Sequence, residues 1–248
     1  MTEFLTTSTG RRLAYTKSAG QGPGVVFLGG FKSDMMGSKA LYLEERARKT
    51  GRAFLRFDYS GHGQSSEDFE AGSIGDWAQD AREIIETLTE GPQVLVGSSM
   101  GGWISLLMAR EIPNRIKGLV GIAAAPDFTA RIWETLSEAQ RADVVAKGRF
   151  EEASEYSDEP YVFTHRLLAE GMNNLVLTKP LALPFPARFL QGTADRDVPV
   201  DVAMAILNHA SGADIRLTLV KGADHRFSTP ECLALIGDQI AEVLGEDF

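Results

Sequence analysis

The residues VLVGSSMGGW at 94–103 place the tightest condition on how the chain folds. Three apolar residues run straight into Gly97, two serines and two glycines, so a buried strand has to end on a serine and turn at once. The residues from Trp103 to Ala109 have helical composition, so the turn joins a strand to a helix. Gly97-Ser98-Ser99-Met100-Gly101 matches G-x-S-x-G, the pattern in which a serine sits on a sharp, strained strand-to-helix turn with its hydroxyl exposed. Ser99 is the central residue. Ser98 would need glycines where Val96 and Met100 stand.

The same beat runs through the rest of the chain. Phe4–Thr7 and Leu13–Thr16 flank the polar turn Ser8-Thr9-Gly10-Arg11 and read as an antiparallel hairpin. Gly24–Gly29 is an apolar run of the kind buried on both faces, and Ser38–Lys49 is helical up to Gly51. Ala53–Tyr59 is a strand, and Trp77, Ala81, Ile84, Ile85 and Leu88 mark one face of a helix. Then come strand Gln93–Val96, helix Trp103–Ala109, strands Ile116–Ile122 and Arg188–Leu190, helix Val202–Leu207, strand Ile215–Val220 and helix Leu233–Leu244. This alternation predicts an α/β fold with a mostly parallel sheet covered on both faces. From about Asp127 to Lys179 the alternation stops. That stretch reads as a helical cap inserted into a single domain, with the acidic run EEASEYSDE at 151–159 as a solvated face. Pro180, Pro184 and Pro186 mark the return to the sheet.

Composition narrows the function. The 248 residues carry 25 basic and 34 acidic side chains, a net charge of −9, which argues against nucleic acid or an anionic membrane as partner. One cysteine, Cys232, excludes an internal disulfide and fits a reducing compartment. No apolar run reaches the roughly 18 residues of a membrane span. The N-terminus MTEFLTTSTGRRLAY lacks a signal-like apolar stretch, so the expected location is cytoplasmic. Gly30-Phe31-Lys32-Ser33 lacks the spacing of a phosphate-binding loop, and no histidine pair has metal-ligand spacing, so neither cofactor nor metal is expected.

A serine needs a base to become a nucleophile. The strand–turn–helix arrangement predicts the order serine, acid, histidine along the chain. His62 precedes Ser99 and reads as structural; His165 lies in the cap; His209 follows a helix as a C-terminal cap. His225, in the loop Lys221-Gly222-Ala223-Asp224-His225 after a strand, is the expected base. The expected acid is Asp195, in Gly192-Thr193-Ala194-Asp195-Arg196-Asp197-Val198-Pro199, with Asp197 and Asp127 as rivals. An oxyanion hole would take the N–H of Met100, at the start of the helix, and that of Phe31, in the loop after the Gly24–Gly29 strand.

Taken together these motifs resemble the α/β-hydrolase superfamily, whose sheet has eight strands. FLGGFKSDMMGSKA at 27–40, RFDYSGHGQSS at 56–66, GSSMGGW at 97–103 and GADHR at 222–226 resemble more closely the alpha/beta-hydrolase domain-containing protein ten group. The likeness extends to Ala146-Lys147-Gly148 and Glu155-Tyr156-Ser157 in the cap. The resemblance implies Ser99, Asp195 and His225 as a catalytic triad. It also implies hydrolysis of acyl thioesters or esters, with a small acylated molecule or an acylated protein as substrate. A serine hydrolase of another bond, carbon–carbon or lactone, and a binding protein on the same scaffold are the alternatives.

Overall fold

In the computed structural model, which describes residues 1–152 and 160–248, eight strands form one sheet in the order β1-β2-β4-β3-β5-β6-β9-β10. These strands are β1 (Glu3–Thr6), β2 (Arg12–Ser18), β3 (Gln21–Leu28), β4 (Arg52–Phe57), β5 (Gln93–Ser98), β6 (Ile116–Ile122), β9 (Ala187–Gly192) and β10 (Ile215–Val220). The pairings β1–β2 and β2–β4 are antiparallel, and every later pairing is parallel. Crossover helices α1 (Ser38–Lys49), α2 (Ile74–Leu88), α3 (Met100–Glu111), α7 (Val200–His209) and α8 (Pro230–Leu244) connect or close the parallel strands.

Strand periodicity divides the core in two. Val26, Leu28, Leu95 and Leu119 face one way, onto a cluster that includes Trp77, Ile84 and Ile85 of α2 and Trp103 and Leu107 of α3. Val25, Phe27, Val94, Val96, Val120 and Ile122 face the other way, onto Leu43 and Ala47 of α1 and Ile236 and Ile240 of α8. Two of these helices start on a capping side chain: Ser73 accepts from the Asp76 N–H at α2, and Thr229 from the Cys232 N–H at α8.

Between β6 and β9 the chain leaves the sheet through α4 (Phe128–Thr135), α5 (Glu138–Lys147), β7 (Arg149–Glu152), β8 (Tyr161–Thr164) and α6 (His165–Gly171). This insertion differs from the all-helical expectation. β7 and β8 pair antiparallel as a separate ribbon, with Arg149 opposite Thr164 and Glu152 opposite Tyr161. β7, a four-residue strand carrying Arg149, Glu151 and Glu152, has too few apolar positions to signal itself, and Tyr161-Val162-Phe163-Thr164 of β8 is too short a run to stand out without its partner. Of the acidic run at 151–159, residues 153–159 lie outside the described residues, and with them Glu155-Tyr156-Ser157.

Candidate active site

Ser99 sits between β5 and α3 with φ 53° and ψ −116°, a backbone conformation that costs an L-residue on the order of 1–3 kcal/mol. Neighbouring glycines make the turn feasible by close approach. A Cβ on Gly101 would stand 2.1 Å from the Leu28 carbonyl oxygen, and one on Gly97 would stand 2.3 Å from the Gly101 carbonyl oxygen. The turn is pinned by Ser99 N–H donating to the Ile122 carbonyl at 2.9 Å and by Ala125 N–H donating to the Ser99 carbonyl at 3.1 Å. A serine at a helix N-cap ordinarily spends its hydroxyl on the first turn. Ser99 occupies the N-cap of α3 and makes no such side-chain bond.

His225 and Asp195 meet from two loops at the carboxyl ends of β10 and β9. His225 Nδ1 lies 2.9 Å from Asp195 Oδ2, with the carboxylate fully enclosed and the imidazole 18% exposed. Asp195 Oδ2 also accepts from Gln191 Nε2 at 3.0 Å. Its Oδ1 accepts the Asp197 and Val198 N–H groups at 3.0 and 2.9 Å. Burial alone would raise the Asp195 pKa. The hydrogen bond and charge of His225, with the Val198 and Gln191 bonds, outweigh it and hold the carboxyl below its ordinary value. Gln191, on β9, is a residue that sequence reading missed. It donates to Asp195 and also to the Val198 carbonyl at 2.8 Å, and only the three-dimensional meeting of strand and loop makes its role visible.

The rival acids make other contacts. Asp127 has φ 57° and accepts from Val176 and Leu177 N–H groups at 2.9 and 3.0 Å, tying the start of α4 to the chain returning from the insertion. Asp197 lies on the far side of the imidazole, its Oδ2 3.9 Å from His225 Nε2. Of the other histidines, His209 ends α7 with Nε2 2.7 Å from the Lys179 carbonyl, and His165 begins α6. His62 is buried beside the site. Its Nδ1 lies 3.1 Å from the Ser60 carbonyl, and its Nε2 accepts the Lys32 N–H at 3.3 Å. Those partners require a neutral ring with the proton on Nδ1. Burial lowers its pKa to about 4, in agreement. Ser60 is itself held by Asp80 through its N–H at 2.9 Å and hydroxyl at 2.6 Å, and Asp80 pairs with Arg11 at 2.9 Å.

That chain of contacts fixes the loop following β3. A Cβ on Gly30 would come 3.5 Å from Ser99 Cβ, so the loop passes directly beside the serine. The Lys32 N–H is taken by His62. Phe31 lies between them, and Met100, as the first residue of α3, has an N–H with no acceptor within the helix. The Phe31 ring stacks on Phe163 of β8 with centroids 5.4 Å apart and packs edge-on against Phe69 and Phe128.

Two cavities flank the serine, and Phe31, Ser99, Tyr161 and His225 line both. One, of about 420 Å³, runs under the insertion between Phe128, Ile132, Phe163 and Val198, with Arg131, Arg196 and Asp197 also on its wall. The other, of about 370 Å³, is lined by Lys32, Asp34, Lys39 and Arg226. Lys39 donates to the Arg226 carbonyl at 2.5 Å, and burial lowers its pKa to about 8 despite the nearby Asp224.

A strained serine at a strand-to-helix turn beside a carboxylate-bound imidazole, on a sheet of this order, defines a class, and comparison agrees: the chain belongs to the alpha/beta hydrolase family, whose profile matches residues 25–233. Within it, the chain is 37% identical over 216 residues to the mitochondrial palmitoyl-protein thioesterase ABHD10 of Homo sapiens, covering 87% of this chain and 71% of that protein. The Bos taurus counterpart is 35% identical over 225 residues, covering 90% and 74%. Among solved structures, a hydrolase from Agrobacterium vitis superposes with a TM-score of 0.94 at 38% identity, covering 98% of both chains. Mouse alpha/beta hydrolase domain-containing protein 10 also gives 0.94, at 32% identity, covering 99% of this chain and 98% of that one.

Proposed function

We propose that this hydrolase cleaves carboxylic esters or thioesters through an acyl-enzyme intermediate, with Ser99 as nucleophile, His225 as general base and acid, and Asp195 as the group that orients His225. The carrying observation is a strained serine hydroxyl, not spent on helix capping, on the same cavity wall as an imidazole whose Nδ1 is bound by a buried carboxylate. With Nδ1–H donated to Asp195, Nε2 is left as the proton acceptor. Ser99 Oγ attacks the substrate carbonyl as His225 Nε2 takes its proton. The Met100 and Phe31 N–H groups are the donors assigned to the oxyanion, helped by the N-terminal end of α3. His225 then protonates the departing alcohol or thiol and activates water to release the acid. Asp195 stabilises the imidazolium without taking its proton.

The phenylalanines of the 420 Å³ cavity suit an apolar acyl group, and the 370 Å³ cavity on the other side of Ser99 suits the leaving group. The thioesterase names of the relatives favour an acyl thioester, free or on a protein. Among the described residues no helix is long and apolar enough to cross a membrane. The single cysteine fits a reducing compartment. The test is Ser99→Ala assayed on matched p-nitrophenyl esters and acyl thioesters. Loss of turnover and of fluorophosphonate labelling, with unchanged circular dichroism, is the expected result. Retained turnover would reject Ser99 as nucleophile.

A further inference from the structure

We propose that His225 and Asp197 form a binding site for a borderline-soft divalent cation such as Zn²⁺, held on the cavity side of the imidazole. Asp195 occupies Nδ1 at 2.9 Å, which leaves Nε2 with its lone pair. A metal-binding histidine has this arrangement, its second ring nitrogen donating to a carboxylate that fixes tautomer and orientation. The facing ligand is Asp197, with Oδ2 3.9 Å from Nε2, too far for a hydrogen bond. Tetrahedral zinc, with ligand bonds of about 2.0–2.2 Å, holds neighbouring donor atoms about 3.4 Å apart. The Asp197 side chain is 34% exposed, so a small rotation closes the gap without disturbing packing. The remaining coordination positions open onto the 420 Å³ cavity, where Ser99 also lies.

Asp195 lies close enough to join the group, but it is already spent. Its two oxygens accept from His225, Gln191 and the Asp197 and Val198 N–H groups. It therefore acts behind the ligand rather than on the ion. Arg131 and Arg196 line the same cavity and oppose the charge of the two aspartates. Binding thus depends on coordination by imidazole more than on local field, which favours Zn²⁺ over Mg²⁺, an ion that prefers oxygen ligands and keeps its water. Occupation withdraws the Nε2 lone pair, so a bound ion would stop proton transfer from Ser99. This inhibitory half rests on the proposed triad, whereas binding itself does not.

The two halves are read separately. Calorimetric titration of Zn²⁺ into the intact, metal-stripped chain is expected to give one-to-one binding that 1 mM Mg²⁺ does not displace. Asp197→Asn should weaken it at least about ten-fold, and His225→Gln should remove it. Parallel ester hydrolysis should fall with the same Zn²⁺ midpoint and return with a chelator. No saturable binding, equal affinity in Asp197→Asn, or retained binding in His225→Gln would each overturn the site. Absence of any hydrolysis would count against the triad and leave the titration to decide the metal. Circular dichroism of both variants verifies that a lost signal is not lost fold.

Discussion

Asp195→Asn tests the site most severely, because the structure dictates how the amide would have to sit. Oδ1 accepts two backbone N–H groups, from Asp197 and Val198, and Oδ2 accepts from His225 and Gln191. If the amide NH₂ replaced Oδ1, it would face two backbone donors and strand them, at about 1–3 kcal/mol for each buried group left unsatisfied. If it replaced Oδ2, the backbone donors keep their acceptor. Gln191 could then rotate its amide to present Oε1, now buried without a partner among the described residues, giving up its bond to the Val198 carbonyl: one acceptor is lost instead of two backbone donors. The second orientation is therefore preferred. It turns a donor toward His225 Nδ1 and drives the ring proton onto Nε2, where it would block the proposed transfer from Ser99. The wrong tautomer costs about 10⁴-fold in kcat in serine hydrolases, equivalent to about 5 kcal/mol of transition-state stabilisation. Steady-state hydrolysis of a p-nitrophenyl ester at pH 7, paired with thermal melting, measures both halves: a folded chain with a modestly lowered melt and kcat down by about four decades. A variant that keeps kcat within ten-fold of the unsubstituted chain would refute Asp195 as the orienting group.

Ser99→Gly should remove hydrolysis yet raise stability by about 1 kcal/mol, because glycine relieves the φ 53° strain and returns only part of that gain as unfolded-chain entropy. The expected readout is a Tm higher by about 2–4 °C, and a lower Tm would contradict stored strain at the turn. His62 makes a pH-dependent contribution of defined sign. Its folded pKa of about 4 lies below the unfolded value of about 6.5, so the unfolded chain binds the proton first. Stability is therefore full above about pH 6.5 and declines as pH falls toward 4, by about 3 kcal/mol at most. Denaturant titrations of His62→Gln should show a shallower decline, and identical pH profiles would refute the assignment. Asp195 adds a separate acid limb with the same sign, present above its unfolded pKa and lost as pH falls through the lowered folded value. Asp195→Asn should lack that limb in the same titrations.

The parallel part of the sheet was legible because β3 from Val25, β5 and β6 from Leu119 are buried on both faces and appear as short apolar runs, whereas α2 shows its one buried face at helical spacing. Ser99 was legible because its turn demands glycine at Gly97 and Gly101 by direct steric contact. Chain order and a loop after the last strand pointed to His225, and the structure places Asp195, the preferred acid, 2.9 Å from its Nδ1. The start of β3 was not legible. It begins at Gln21, and its pairing with β4 shifts register between Gln21 and Val25, across a Gly-Pro-Gly segment that interrupts any apolar pattern. Nor were the β7–β8 ribbon, Gln191, or the place of Asp197 beside Nε2. These depend on which loops meet in space, information that no local spacing carries.

The Phe31 ring leans on Phe163 of the insertion, while its own peptide N–H is the one assigned to the developing oxyanion. In the proposed reaction, cap and anion donor would then be mechanically linked. If an acyl group that displaces Phe163 shifts the Phe31 ring and its peptide with it, poorly fitting chains should be penalised in turnover as well as in binding. Selectivity in this enzyme would then be written partly into the speed of bond breaking, through a ring contact on the cavity wall.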